Sequence, residues 1–527
     1  MHDLRTAAET QLDTLGDIPR RHARAIPDHR AVICEDRTTT FAELDAHANQ
    51  VAQALIASGL KPGDRIAHLG KNTDYYFELL FGAAKAGVVM APVNWRLAPA
   101  EIMYIIADSE ARLLFVGPEF LQLIESCVPA ELLASTYGVE EPYQGRSFSE
   151  WRNVQSPLDP ELQLSPEAPA VQLYTSGTTG HPKGAVLTHR NLVTMPQLTT
   201  LFEWSRWGVD DVSLIAMPCF HIGGTGWAVM SLYHGALSVI IREFEPGKVL
   251  DCIELWHVSK VFLVPVAMQV VVRHPRARQV DYSRLKFMLY GASPMPLSLL
   301  RECMEVFGCG FVQLYGMTET TGTVTALGPE DHDVAGNTRM GSAGKPLPGV
   351  RIAILDVAGK HLPAHEVGEV AINSPTNMRE YWKQVAATAA TLGADNWLRT
   401  GDAGYLDDDG YLYIYDRVKD MIITGGENVY PAEVENAIFG HPDVADVAVI
   451  GVPSDRWGEE VKAMVVAKPG TSPDAASIIG WARARIAPFK VPKSVEFIAA
   501  LPRNASGKIL RRQLREPYWQ GRARRVN

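Results

Sequence analysis

Apolar positions recur along this chain with two periods, and the two alternate. In TFAELDAHANQVAQALIASG (40–59), Leu44, Ala48, Val51 and Leu55 fall on one helical face with polar residues between them. Thr40 and Glu43 have the spacing of a capping box, and Gly59 stands where the helix would end. DRIAHL (64–69) reads as a short strand, YYFELLFGAAKAG (75–87) as a helix and VVMAPVN (88–94) as a buried strand. EIMYIIADS (101–109) and ARLLFVG (111–117) repeat the alternation. It resumes over about 168–330, with VSLIAMP, LSVIIRE, KVFLVPV, LKFMLYGAS and GFVQLYG as strands. Strands alternating with helices predict parallel α/β layers.

From about 338 to 415 glycine, proline and aspartate become frequent and the strands shorten (VRIAILD, GEVAIN, GYLYIYD), predicting a small β-rich unit. After DRVKD the alternation restarts. PAEVENAIFG is a helix with Pro431 in its first turn, VADVAVIGV a strand, and AMVVAKPG, AASIIGWARARI and SVEFIAAL follow. A chain of 527 residues exceeds what one hydrophobic core supports. The expected organisation is a large N-terminal α/β domain over 1–416, a hinge at 417–420 and a separate, movable α+β domain over 421–527.

Composition changes this picture little. Lys plus Arg number 50 and Asp plus Glu 60, a net charge of −10, so no overall basic field attracts nucleic acid or anionic lipid. The arginine-rich end, RRQLREPYWQGRARRVN, reads as a solvated helix and tail. Six scattered cysteines without a CxxC pair favour free thiols in a reducing compartment over a disulfide framework or zinc site. The N-terminus lacks the apolar core of a secretory signal, and VFLVPVAMQVVV is far short of the roughly 20 residues of a membrane helix. A cytoplasmic protein without a transmembrane segment is expected.

The chemistry concentrates in a few stretches. YTSGTTGHPKG (174–184) follows an apolar run and combines glycines for close backbone approach, hydroxyl donors and a lysine, the components of a phosphate cradle. It is not a Walker loop, since Pro182 stands five after Gly177 and no Gly-Lys-Ser/Thr follows. Taken alone, such a loop is more often a flexible connection. Its company is specific: LYGMTE (314–319) at the end of a predicted strand, where α/β folds gather ligands, then the long block 397–435 with RTGDAGYLDDDGYLYIYDRVKD and TGGEN, then LPRNASGKILRR (501–512).

These motifs, in this order over about residues 15–515, resemble the adenylate-forming superfamily of acyl-CoA ligases, nonribosomal adenylation domains and firefly-type luciferases. The resemblance implies a ligase using ATP, Mg²⁺ and CoA. A carboxylate attacks the α-phosphate of ATP, pyrophosphate leaves, and a thiol then displaces AMP from the acyl-adenylate. Two anions must meet, so donors and cations have to offset their repulsion. By motif position, Thr175, Ser176, Gly177, Thr178, Thr179, Gly180 and Lys183 would hold the β- and γ-phosphates. Thr318 would donate to the α-phosphate, and Glu319 would help hold Mg²⁺, a hard ion that prefers oxygen ligands. Tyr315 and the Gly291, Ala292, Ser293 stretch would sandwich the adenine; Asp402 would accept from the ribose, with Arg417 beside it. Lys508 would reach from the small domain to the carboxylate and α-phosphate, a movable point charge on a long stem. Lys419 would be the hinge about which the small domain rotates, presenting Gly425 and Gly426 to the pantetheine arm.

PCFHIGGTGW (218–227) matches the segment bounding the acyl pocket, with His221 beside the carboxylate or thiol path, glycines leaving volume, Trp227 capping part of it and Gly291 forming another wall. Trp457 and Phe489 are candidates to stack on the CoA nucleotide, although Val491 stands where some relatives carry arginine. These motif segments hold no cation for a second carboxylate, which favours an apolar monocarboxylic acid, fatty or aryl-substituted. Open alternatives are a carrier-protein thiol as acceptor, a luciferase-like oxygenation and a non-catalytic acyl-adenylate or AMP sensor. A homodimer is compatible with the sequence.

Overall fold

The computed structural model describes residues 12–175, 182–417, 420–424, 427–454, 456–504 and 507–520. Among these, four sheets form. A nine-stranded sheet runs in spatial order Lys345–Pro346, Gly322–Leu327, Gly310–Met317, Phe287–Gly291, Lys260–Leu263, Val212–Ile215, Leu237–Ile240, Arg30–Cys34 and Arg37–Thr40. Its central pairs are parallel, and both margins are closed by antiparallel strands. A seven-stranded sheet, from Glu380–Tyr381 through Lys183–Thr188, Pro169–Thr175, Val89–Pro92, Arg65–Leu69 and Ala111–Val116 to Thr136–Gly138, is parallel except at the Glu380–Tyr381 margin, where two antiparallel pairs close it. The predicted α/β layers are therefore parallel at the centre and antiparallel at the edge, where a two-residue hairpin can replace a helical crossover.

The helices between these strands form for local reasons. In Phe41–Ala57 the Thr40 hydroxyl accepts from the Glu43 backbone at 3.2 Å while Glu43 Oε2 accepts from the Thr40 backbone at 2.8 Å, closing the predicted capping box. Gly59, at φ +79°, turns the chain in the left-handed region. One core joins the two sheets, with Phe41, Phe77, Phe81, Phe115 and Tyr76 fully buried in it. Tyr76 brings its polar end along by donating from its hydroxyl to the Cys219 carbonyl at 2.9 Å.

The β-rich unit is a four-stranded antiparallel sheet, Arg351–Leu355, Gly368–Asn373, Trp397–Leu406 and Leu412–Arg417. Beyond it a five-stranded sheet, with the helices Pro431–Phe439 and Ala475–Arg483, has a core of its own around Ile422, Val434, Ile438, Val449, Val461 and Ile478. The protein is thus α/β with a separate C-terminal α+β unit. Among the described residues no helix is long and apolar enough to cross a membrane.

Candidate active site

Two backbone constraints place Glu319. The strand Gly310–Met317 pairs antiparallel with Gly322–Leu327 so closely that a Cβ on Gly316 would lie 1.6 Å from the Gly322 carbonyl oxygen. Only glycine fits there. Thr321, at φ +58°, completes the tight turn, anchored by its hydroxyl on the Thr376 carbonyl at 2.7 Å. Thr318 opens the intervening 3-10 turn, and Glu319 is driven inward to 5% exposure. Its Oε1 accepts from the Tyr381 hydroxyl at 2.8 Å and from the Thr175 hydroxyl at 3.3 Å.

Thr175 and Lys183 face each other in register as the last and first residues of an antiparallel pair, so the intervening loop joins strand to strand. Walker loops lead into a helix instead. Glu380–Tyr381 pairs on the outer side of Lys183–Thr188, which sets Tyr381 opposite Ala185. Its ring centre then lies 5.0 Å from Lys183 Nζ. Thr175, Lys183, Glu319 and Tyr381 thus form one cluster. Ser176, Gly177, Thr178, Thr179 and Gly180 lie outside the described residues.

Beside this cluster, the Tyr315 hydroxyl donates to Asp402 Oδ2 at 2.7 Å, and Asp402 is 8% exposed. The Asp402 backbone pairs in register with that of Arg417. Gly291 ends its strand so close to the next that a Cβ would lie 2.1 Å from the Leu314 carbonyl oxygen. Ala292 follows at φ +67° and is exposed, with Ser293 half-buried after it. The Gly291–Ser293 turn, Tyr315 and Asp402 therefore share the carboxyl end of the central strands.

Next to them opens a cleft with about 780 Å³ of empty space, its mouth included. Trp204, Trp207, Trp227, Phe262, Met195 and Met230 supply its apolar walls, while Gly223, Gly226, Ala292, Tyr315 and Gly316 lie toward the constellation above. Gly224 does not line it; a Cβ there would meet the Pro218 carbonyl oxygen at 2.2 Å, so that glycine serves close packing. The wall is carried by Ala292 rather than Gly291. His221 caps the N-terminus of the helix Ile222–Tyr233. Its Nε2 is buried with no hydrogen-bond partner among the described residues, and burial, aided by Arg96, lowers its pKa to about 4. The ring is neutral at neutral pH.

Lys508 sits on a turn tied to itself: its N–H donates to Asn504 Oδ1 at 2.8 Å and its carbonyl accepts from the Asn504 N–H at 2.8 Å. A Cβ on Gly507 would meet the Val266 side chain at 2.6 Å and that of Val264 at 3.4 Å. The turn therefore rests on the large domain just past the carboxyl end of Lys260–Leu263. Gln269 adds a hydrogen bond across, to the Ala445 carbonyl at 3.0 Å. Lys419, Gly425 and Gly426 lie outside the described residues. Trp457 and Phe489 are exposed on the small domain, each beside a cation, Arg456 and Lys490.

Sequence reasoning missed Tyr381. It lies 62 positions from Glu319 and on a strand of two residues, which carries no periodicity to read.

An α/β domain with these groups at the carboxyl ends of its strands, and a C-terminal α+β domain resting its lysine turn there, defines an adenylate-forming enzyme. The family described as AMP-binding enzyme matches residues 19–382 and the C-terminal domain of that family matches residues 433–508; the chain belongs to this family of ligases. It is 43% identical over 522 residues to the fatty acid–[acyl-carrier-protein] ligase ScoC of Streptomyces coeruleorubidus, covering 98% of this chain and 99% of that protein. It is 39% identical over 505 residues to a feruloyl-CoA synthase of an Amycolatopsis species, covering 96% and 99%. The ATP-bound crystal structure of MatB from Rhodopseudomonas palustris superposes with a TM-score of 0.86 at 31% identity, covering 96% of this chain and 99% of that one.

Proposed function

We propose that the protein is an ATP-dependent acyl-CoA ligase acting on a monocarboxylic acid with an apolar acyl group. What supports this reading is the clustering of Thr175, Lys183 and buried Glu319, the Tyr315–Asp402 pair beside an apolar cleft, and a Lys508 turn that rests on Val264 and Val266 of the large domain. In the first step a carboxylate oxygen bonds to the α-phosphorus of ATP and pyrophosphate leaves. Lys183 and the hydroxyls of its hairpin neutralise the departing phosphates, Thr318 donates to the α-phosphate, and Lys508 holds the carboxylate against it. Tyr315 stacks on the adenine beside Gly291–Ser293, and Asp402 accepts from the ribose. In the second step the CoA sulfur bonds to the acyl carbon and AMP leaves, after the small domain has swung about 417–420.

Glu319 fits a magnesium site in its donor chemistry: a buried carboxylate, held by two hydroxyl donors, beside the hairpin assigned to the phosphates. Bound there with ATP, Mg²⁺ would supply charge neutralisation of the phosphates. Neutral His221 immediately precedes Ile222 and Gly223 of the cleft wall, and from there it would orient the acid without adding a second positive charge to that of Lys508.

One observation favours a second acceptor. The similarity to ScoC, named as a ligase of a fatty acid to acyl-carrier protein, runs the whole length of the chain. AMP formation from ATP and an acid panel, with CoA, with a phosphopantetheinylated carrier protein and with neither, separates the two. AMP output stimulated by the carrier and not by CoA would overturn the CoA assignment. Pyrophosphate release without AMP-forming transfer to either thiol would confine the activity to the first step. Lys508→Ala should abolish adenylation yet largely spare thioester formation from supplied acyl-adenylate. Equal loss of both steps would refute the exchange of faces.

A further inference from the structure

The inner wall of the cleft narrows the choice of acid. Phe262 and Leu289 line it from neighbouring parallel strands and pair in register. Two residues earlier on the same strands, and so on the same face, stand Lys260 and Phe287, also in register. Lys260 is only 1% exposed. Its Nζ lies 4.2 Å from the centre of the Trp207 ring and 5.8 Å from that of Phe287, and it donates to the Arg206 carbonyl. Trp207 lines the cleft and Lys260 does not. The indole therefore stands between the ammonium and the cavity.

Lysine is almost never buried without an acidic partner. Among the described residues no carboxylate lies within ion-pairing distance of Lys260, and the neighbouring Asp211 is bound to Lys286 at 2.6 Å. Burial lowers the Lys260 pKa to about 8, so the ammonium form prevails at neutral pH. Its charge is met by the Arg206 carbonyl and by the face of Trp207. A cation on one side of an indole draws π density toward itself and leaves the other side poorer in electrons. Trp207 also touches Trp227 at 5.4 Å between ring centres, and Trp227 touches Phe262 at 6.3 Å, separations at which aromatic rings attract.

We propose that Trp207, polarised and held by Lys260, is the specificity element of the acyl cleft and selects acids whose acyl group carries an aromatic ring, electron-rich rings most strongly, over straight-chain acids. This rests on the ligase reading above and names its substrate class. Lys260 is a positioning residue, acting through Trp207. An alkyl chain gains only contact area from this wall, whereas an aryl group gains ring–ring attraction as well.

The test uses the full chain and pyrophosphate release, comparing 3-phenylpropanoic acid, its 4-methoxy analogue and a straight-chain acid of matched length. Wild type should prefer the aryl acids, the methoxy compound most. Lys260→Met keeps the stem without the charge and should lower the aryl-to-alkyl ratio of kcat/KM on the order of tenfold, chiefly through KM. Lys260→Arg should restore the ratio, and Trp207→Leu should abolish it. A wild-type preference for the straight chain overturns the proposal and leaves the ligase reading standing, as does a ratio unmoved in both Lys260→Met and Trp207→Leu. Pyrophosphate from no acid at all overturns the ligase reading and the proposal with it.

Discussion

Tyr381→Phe removes one oxygen and leaves the ring against Lys183. Its hydroxyl is the closer of two donors to Glu319 Oε1, at 2.8 Å against 3.3 Å for Thr175. At 5% and 6% exposure neither Glu319 nor Tyr381 has much water to replace the lost bond. A hydrogen bond to a charged group contributes about 1.5–3 kcal/mol. Because Thr175 can shorten its contact, the lower end, about 1.5 kcal/mol, is expected in urea unfolding. The functional effect should exceed the structural one. A carboxylate that orients a metal depends on its outer partners, whose loss typically weakens the metal about 10–100-fold. The assay is pyrophosphate release titrated with Mg²⁺ at saturating ATP and acid. Half-saturation should rise at least about tenfold while the rate at saturating Mg²⁺ stays near wild type. Lost stability with an unchanged Mg²⁺ curve would show that Tyr381 only supports the fold and would remove Glu319 from the metal role.

Gly291→Ala sets a methyl group 2.1 Å from the Leu314 carbonyl oxygen, so the strands must part at the turn proposed to hold adenine; about 1–3 kcal/mol of stability should go, and the KM for ATP should rise. A normal KM with normal melting would refute the close approach. Burial lowers the pKa of His22, His68, His189 and His221 to about 4 and that of His234 to about 3. Their unfolded value is near 6.5, so between there and about 4 the unfolded chain binds more protons, and stability should fall as the pH falls. Thermal melts from about pH 7 to about pH 5 check this, and His221→Asn should lessen the slope by about one proton.

The legible parts of this fold were those fixed by neighbours in sequence. The Thr40–Glu43 box and the glycine stop at Gly59 are local chemistry, and the apolar strands announce themselves by composition. What escaped was set by partners far along the chain. Nothing near Tyr381 shows that its two-residue strand adds to the Lys183–Thr188 edge. Nothing within KVFLVPV shows that Lys260 turns its charge on a tryptophan more than fifty positions earlier. The cleft was expected to lack a cation because the motif segments hold none; one stands a layer behind its wall. Glycines were the reverse case, legible as special yet ambiguous in purpose. Gly223 and Gly226 leave space, whereas Gly224 and Gly291 permit backbones to touch.

The turn bearing Lys508 is braced from within its own domain: Arg503 donates to the Gly507 carbonyl at 2.6 Å and pairs with Asp446 at 2.7 Å, besides the reciprocal Asn504 bonds. Under the proposed swing of the small domain, each arrival would have to settle a lysine whose backbone is already held at Asn504, Gly507 and Lys508. Such a courier would detach and return many times, setting down its charge in the same place on every visit.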